Sequence, residues 1–95
     1  MKLIYTNKAK NDLVRLREFI ASENPKVAKK ASHRIIASAN SILNNPLIGR
    51  PVRNRKDIRE IIISFGSSNY LLRYDIKPSE IRILRIWHGK ENWSS

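Results

Sequence analysis

The hydrophobic period of this chain changes once, and that change fixes the class of fold it can adopt. Between Asn7 and Asn44 apolar residues recur at helical spacing; from Ile58 onward they run together or alternate, as strands do. The step Asn24-Pro25 divides the helical part in two. The residue before a proline avoids the helical region, proline is pre-set for a first helical position, and asparagine is a good cap. Two helices followed by strands, in 95 residues, make one α+β domain over residues 1–95 with a modest core.

Each element has its own signals. Lys2 to Tyr5 reads as a short strand, and Thr6 or Asn7 caps the first helix. Ala9, Leu13, Leu16 and Ile20 form its buried stripe, flanked by Lys10, Asp12, Arg15, Arg17 and Glu18. The second helix is expected from Pro25 to about Asn44, with Ala28, Ala31, Ile35, Ala39 and Ile42 inward and alanines allowing close approach of the other helix. Leu47 to Lys56 is expected to be a loop, holding Gly49-Arg50-Pro51 and a dense basic segment of Arg53, Arg55 and Lys56. Strands follow at Ile58–Phe65, Tyr70–Ile76 and Ile81–Trp87, joined by turns at Gly66–Asn69 and Lys77–Glu80. Such short links imply an antiparallel meander. The expected order is therefore β-α-α-β-β-β, a helical hairpin packed on an antiparallel sheet.

Charge is the loudest compositional signal. Nineteen Lys and Arg against eight Asp and Glu give a net charge of +11, and both halves of the chain share it. A field of this sign attracts nucleic acid, an anionic surface or an acidic protein. On the second helix Lys26, Lys29, Lys30, His33 and Arg34 fall on one face, nearly opposite the apolar stripe. Cations in the first turns oppose the helix dipole at about 0.3–1 kcal/mol each at most, so this stripe is a candidate secondary binding surface.

Most site chemistries lack their residues. There is no Cys, and His33 and His88 are far apart in sequence, so no metal or cofactor is expected. The three glycines, Gly49, Gly66 and Gly89, form no phosphate-cradling loop. The longest apolar run, Ile61-Ile62-Ile63, is far below a membrane span, and the first residues lack the apolar core of a secretion signal. A cytoplasmic protein with no membrane partner is expected.

What remains is a C-terminal cluster: Arg82, Arg85, Trp87, His88, Lys90 and Trp93, with Arg59 and Arg73 on the strands expected beside it. Such a group can grip phosphates or carboxylates, with tryptophan as an anchor. It can also cleave RNA without a metal, given a base near the 2′-hydroxyl and cations for the developing charge; His88 has the side chain with a suitable ordinary pKa. Equally, the tryptophans can cap the core edge while the arginines keep the sheet soluble.

One run of motifs spans nearly the whole chain: Ala9-x-x-Asp12-Leu13, Phe19-Ile20, Asn24-Pro25-x-x-Ala28, Pro46-x-x-Gly49-Arg50-Pro51, Arg59-Glu60, Tyr70-x-x-x-Tyr74 and Ile81-x-Ile83-Leu84-Arg85-Ile86-x-His88-Gly89-Lys90. In this order they resemble the ParE branch of the RelE/ParE toxins of bacterial toxin–antitoxin modules. The resemblance implies a RelE/ParE-like fold and the toxin of a type II (plasmid stabilisation) module. It also implies neutralisation by an acidic cognate antitoxin, whose disordered C-terminal part folds over the hairpin and sheet. Operator DNA would be met only indirectly, through the antitoxin.

The resemblance splits over the cellular target. ParE-like members inhibit DNA gyrase without catalysis; RelE-like members cleave mRNA on the ribosome. Gly49-Arg50-Pro51 and Arg59-Glu60 favour ParE, as do Leu71, where a RelE-type nuclease usually has Arg, and a tail lacking a late Tyr. The expected surface for target or antitoxin is Arg59, Arg73, Tyr74, Arg85, His88, Lys90 and Trp93, with Lys26, Lys29, Lys30 and Arg34 as the secondary stripe. No residue is catalytic on this reading. The alternative is a nuclease in which His88 is base or acid and Arg73, Arg85 and Lys90 clamp phosphate. A third possibility is a non-toxic relative that only binds a partner.

Overall fold

A computed structural model describes residues 1–22 and 24–91. Strand β1 (Lys2–Tyr5) ends at Thr6, whose hydroxyl oxygen accepts the Ala9 N–H and so caps helix α1 (Asn7–Ala21). Asn24 caps helix α2 (Pro25–Ser41), its side chain accepting the N–H groups of Lys26 and Val27. Regular α-helix stops at Ser41, short of the expected Asn44. From Ile42 to Asn45 each N–H bonds three residues back, a tighter 3₁₀-type exit that still buries Ile42.

The segment expected to be loop contains a strand. β2 (Arg50–Val52) pairs antiparallel with β3 (Arg55–Phe65) across Arg53-Asn54, and Asn54 takes φ 66°, a left-handed conformation asparagine tolerates. β3 returns to β4 (Ser68–Ile76) through Gly66-Ser67, where Gly66 at φ 59° supplies the positive φ of a two-residue hairpin. β5 (Glu80–His88) completes the expected meander. The sheet as a whole is mixed, in the order β1-β5-β4-β3-β2, because β1 joins β5 in parallel. The long connection through both helices permits that direction.

Both helices pack on one face of the sheet. Leu16, Ile35, Ala39 and Ile42 meet Ile63, Leu72, Tyr74, Ile81, Ile83 and Ile86 in one core. Each of the larger side chains contributes roughly 1.5–3 kcal/mol by leaving water. The opposite face carries no helix or strand among the described residues.

Tyr74 ties this core to the segment before β2. It is fully buried; its hydroxyl donates to the Pro46 carbonyl (2.6 Å) and accepts from the Gly49 N–H (2.9 Å). Burial pushes its pKa up, against the Gly49 N–H and the Arg59 charge. A Cβ on Gly49 would lie 2.7 Å from that hydroxyl, so glycine is required here for close approach. Tyr74→Phe strands the buried Gly49 N–H and is expected to lower stability by about 1–3 kcal/mol, read from the urea midpoint.

Candidate functional site

The site is made by a bulge. Arg73 pairs with Arg85, but the next residue, Tyr74, pairs with Ile83, so Leu84 is an extra residue in β5. Regular alternation would have put Arg82 and Arg85 on opposite faces. The bulge brings both to the uncovered face together with Trp87, and turns His88 toward the helices. On the uncovered face Trp87 lies against two guanidinium groups, Arg73 at 5.1 Å and Arg85 at 4.9 Å from its ring. Cation–π contacts of this kind contribute about 0.5–2 kcal/mol each.

A groove of about 410 Å³ runs past this stack, with Lys8, Arg55, Arg73 and Arg85 on its rim and Ile58, Leu84 and Trp87 as its apolar part. Glu60 accepts from Arg73 (3.3 Å) and pairs with Arg50 (3.5 Å). The Arg73 Nε–H is buried and has no partner among the described residues. An anionic or hydrogen-bonding ligand with an apolar portion suits this mixture.

Behind the site lies a network that sequence reading placed wrongly. Asp12 does not merely flank the helical stripe. It is buried, and its carboxylate accepts from Arg85 Nε (2.8 Å), from Arg15 and from the Ile86 N–H (2.8 Å). Burial raises its pKa, but the Arg85 guanidinium, the Ile86 N–H and Arg15 outweigh that and hold it below the ordinary carboxylate value. Arg15 reaches on to Glu91 and to the Ile86 carbonyl, and Glu91 accepts the His88 N–H. Thr6 donates to the carbonyls of Ile83 and Leu84. Side chains therefore satisfy the edge of β5 where β1 has ended. The spacing of Asp12 three residues after Ala9 and four before Leu16 was the available signal.

The expected site residues do not all converge. Arg73 and Arg85 share the uncovered face. Arg59 and Tyr74 clamp the 46–49 segment instead, Arg59 donating to the Gly49 carbonyl at 2.6 Å. His88 faces the helices, its ring edge-on to Tyr70 (5.2 Å between centroids) and tilted against Phe19 (6.0 Å), with Nδ1 accepting the Lys90 N–H at 3.1 Å. The Lys90 side chain is exposed at the end of β5, as are Lys26, Lys29, Lys30 and Arg34 along α2. Trp93 lies outside the described residues. No cluster able to hold a metal occurs among the described residues, and no helix is long and apolar enough to cross a membrane.

Fold and site together define a small cationic α+β domain with one covered and one open sheet face. Residues 3–93 match the family described as the ParE toxin of the type II toxin–antitoxin system parDE, and the chain belongs to that family. It is 36% identical to Toxin RelE1 of Caulobacter vibrioides over 88% of both chains. It is 32% identical to Toxin RelE3 of the same organism, over 88% of this chain and 89% of that one. A solved structure titled "Chromosomal ParDE TA system from P. aeruginosa" superposes with a TM-score of 0.76 at 26% identity, covering 93% of this chain and 95% of that one. The protein is therefore a toxin of a type II toxin–antitoxin system, a family that implies an antitoxin partner.

Proposed function

We propose that this toxin acts by binding DNA gyrase in the cytoplasm through the cationic open face of its sheet, and that an acidic antitoxin neutralises it. The observation that carries the non-catalytic reading is the division of the candidate nuclease residues between two faces. Arg73 and Arg85 leave their strands on the open face and lie against Trp87, Arg73 paired with Glu60 and Arg85 reaching round the edge of β5 to Asp12, whereas His88 packs against Tyr70 and Phe19 on the helix side. General acid–base catalysis needs its proton carrier within hydrogen-bond reach of the group it serves. A phosphate approaching from the open face would sit across the sheet from the imidazole, and both arginines already hold a carboxylate. The ParE-like motifs Gly49-Arg50-Pro51 and Arg59-Glu60 support gyrase as the target class.

A ribosome-dependent mRNA endonuclease is the second reading. Two relatives named RelE toxins favour it, as does the presence of Arg73, Arg85 and Trp87 on one open face. His88→Gln separates the two. A gyrase binder keeps full inhibition of supercoiling in a purified assay, because the change lies behind the sheet. A nuclease using His88 loses cleavage by about 10²–10⁴-fold. Loss of supercoiling inhibition in a folded His88→Gln protein contradicts the proposal.

A further inference from the structure

The start of α1 opens into the groove on the uncovered face, where Asn7 and Lys8 line it together with Arg55. The first four N–H groups of a helix lack an intrahelical acceptor. Two of them are satisfied here: the Thr6 N–H donates to the Ile83 carbonyl and the Ala9 N–H to the Thr6 hydroxyl. The Asn7 and Lys8 N–H groups have no acceptor among the described residues. A helix start carries partial positive charge and is stabilised by acidic residues in its first turn. α1 has none there, and Lys8 adds a further cation.

The groove supplies no anion of its own. Its lining includes no Asp or Glu among the described residues. Lys8 and Arg55 are exposed, and neither forms an ion pair among the described residues. Arg73 and Arg85 hold Glu60 and Asp12, but the Arg73 Nε–H is buried without a partner among the described residues. The volume, about 410 Å³, is that of a small-molecule site. The basic stripe of α2 offers an internal contrast. It has the same sign of charge, but Asn24 already accepts the N–H groups of Lys26 and Val27.

We propose that this end of the groove is a binding site for a nucleoside phosphate. The Asn7 and Lys8 N–H groups and the Lys8 and Arg55 side chains hold the phosphate. Its three acceptor oxygens and near-double charge use more of these donors than the two oxygens of a carboxylate. Ile58, Leu84 and Trp87 form the apolar part of the groove, and the guanidinium planes of Arg73 and Arg85 lie beside it. Flat rings settle on such surfaces, so the base goes there. Binding is non-covalent. The site stands on the groove itself and holds whichever target the toxin takes.

The test titrates the full, isotope-labelled chain with adenosine 5′-monophosphate and follows each backbone amide by NMR. Salt is held at about 0.15 M, where diffuse attraction is screened beyond about 8 Å. The Asn7 and Lys8 amides are expected to move most and to saturate, with little change along Lys26–Lys30. Adenosine and inorganic phosphate should each bind about tenfold more weakly. Lys8→Glu gives the sharpest contrast. A carboxylate there suits the helix dipole, so the melting temperature should hold or rise while nucleotide affinity falls about tenfold or more. Hexathymidylate with and without a 5′-phosphate distinguishes the source. Binding no tighter than the mononucleotide supports a free nucleotide; tighter binding that needs the 5′-phosphate supports a strand end. The proposal is overturned if the α2 amides move as much as Asn7 and Lys8, or if Lys8→Glu binds as tightly as wild type. It is also overturned if hexathymidylate binds equally with and without its 5′-phosphate and more tightly than the mononucleotide, or if a hexaglutamate peptide moves the same amides as strongly. Supercoiling assays report separately: nucleotide binding without gyrase inhibition keeps the site and removes the target reading.

Discussion

Asp12→Ala is expected to lower the unfolding free energy by about 3 kcal/mol, the low end for breaking a buried ion pair, because Arg85 and Arg15 are partly exposed and regain water. The Ile86 N–H, buried and left without its acceptor, accounts for about 1 kcal/mol or more of this. For a domain of this size the melting temperature should fall by roughly 12–20 °C. Asp12→Asn keeps an acceptor for Ile86 and should lose about half as much. The pH dependence has a fixed sign. The Asp12 pKa is lowered in the folded state from its ordinary 3.8, so the carboxylate stabilises the fold fully above that value. The contribution is lost as pH falls through the folded-state pKa. The gap between wild type and Asp12→Ala, seen in thermal melts, should be full at neutral pH and narrow to about half in acid, where the neutral carboxyl still accepts from the Ile86 N–H. A gap unchanged down to strongly acid pH contradicts this account of the network.

Arg73→Met is expected to weaken gyrase inhibition by about 30-fold, a loss of about 2 kcal/mol that is typical of an interface anchor. Methionine keeps an apolar stem over Trp87 and removes the charge and the buried Nε–H, which has no partner among the described residues. Glu60 retains Arg50, so the fold should survive with a melting temperature within a few degrees of wild type. Arg34→Met is the informative control. It lies on α2, on the other side of the sheet, and should leave gyrase inhibition unchanged while weakening antitoxin binding. Equal loss of gyrase inhibition in both variants would mean that general positive charge, and not the open face, engages the target.

Much of the fold was legible in the sequence because each element carried a local signal. Asn24-Pro25 marked the start of α2 through cap chemistry, and the turn residues Gly66–Asn69 marked a hairpin, which the positive φ of Gly66 tightens to Gly66-Ser67 so that β4 begins at Ser68. β2 was missed because Asn54 makes its turn with a left-handed conformation that neither Gly nor Pro announces. The site was legible as a composition and hidden as a geometry. Arg73, Arg85 and Trp87 could be named, but the extra residue at Leu84 decides which face they share, and no local propensity fixes where a bulge falls. The same bulge sends His88 behind the sheet. Arg59 and Tyr74 read as surface residues because their partners, the 46–49 backbone groups, are long-range in sequence. Asp12 read as flanking the apolar stripe because a helix charge is usually solvated; the edge of β5 beyond β1, whose Ile86 N–H it accepts, explains its burial.

On the proposed reading this toxin stops gyrase by occupying it, without cutting RNA. The most direct measurement induces the protein in cells, maps 5′ ends across ribosome-bound mRNA, and titrates the purified protein into a gyrase supercoiling reaction. Supercoiling blocked at near-stoichiometric toxin, with an unchanged mRNA cleavage map, is the expected result. New cuts in translated mRNA with supercoiling untouched would contradict it and move the assignment to the ribosome; no growth defect and neither effect would leave a partner-binding relative without toxicity.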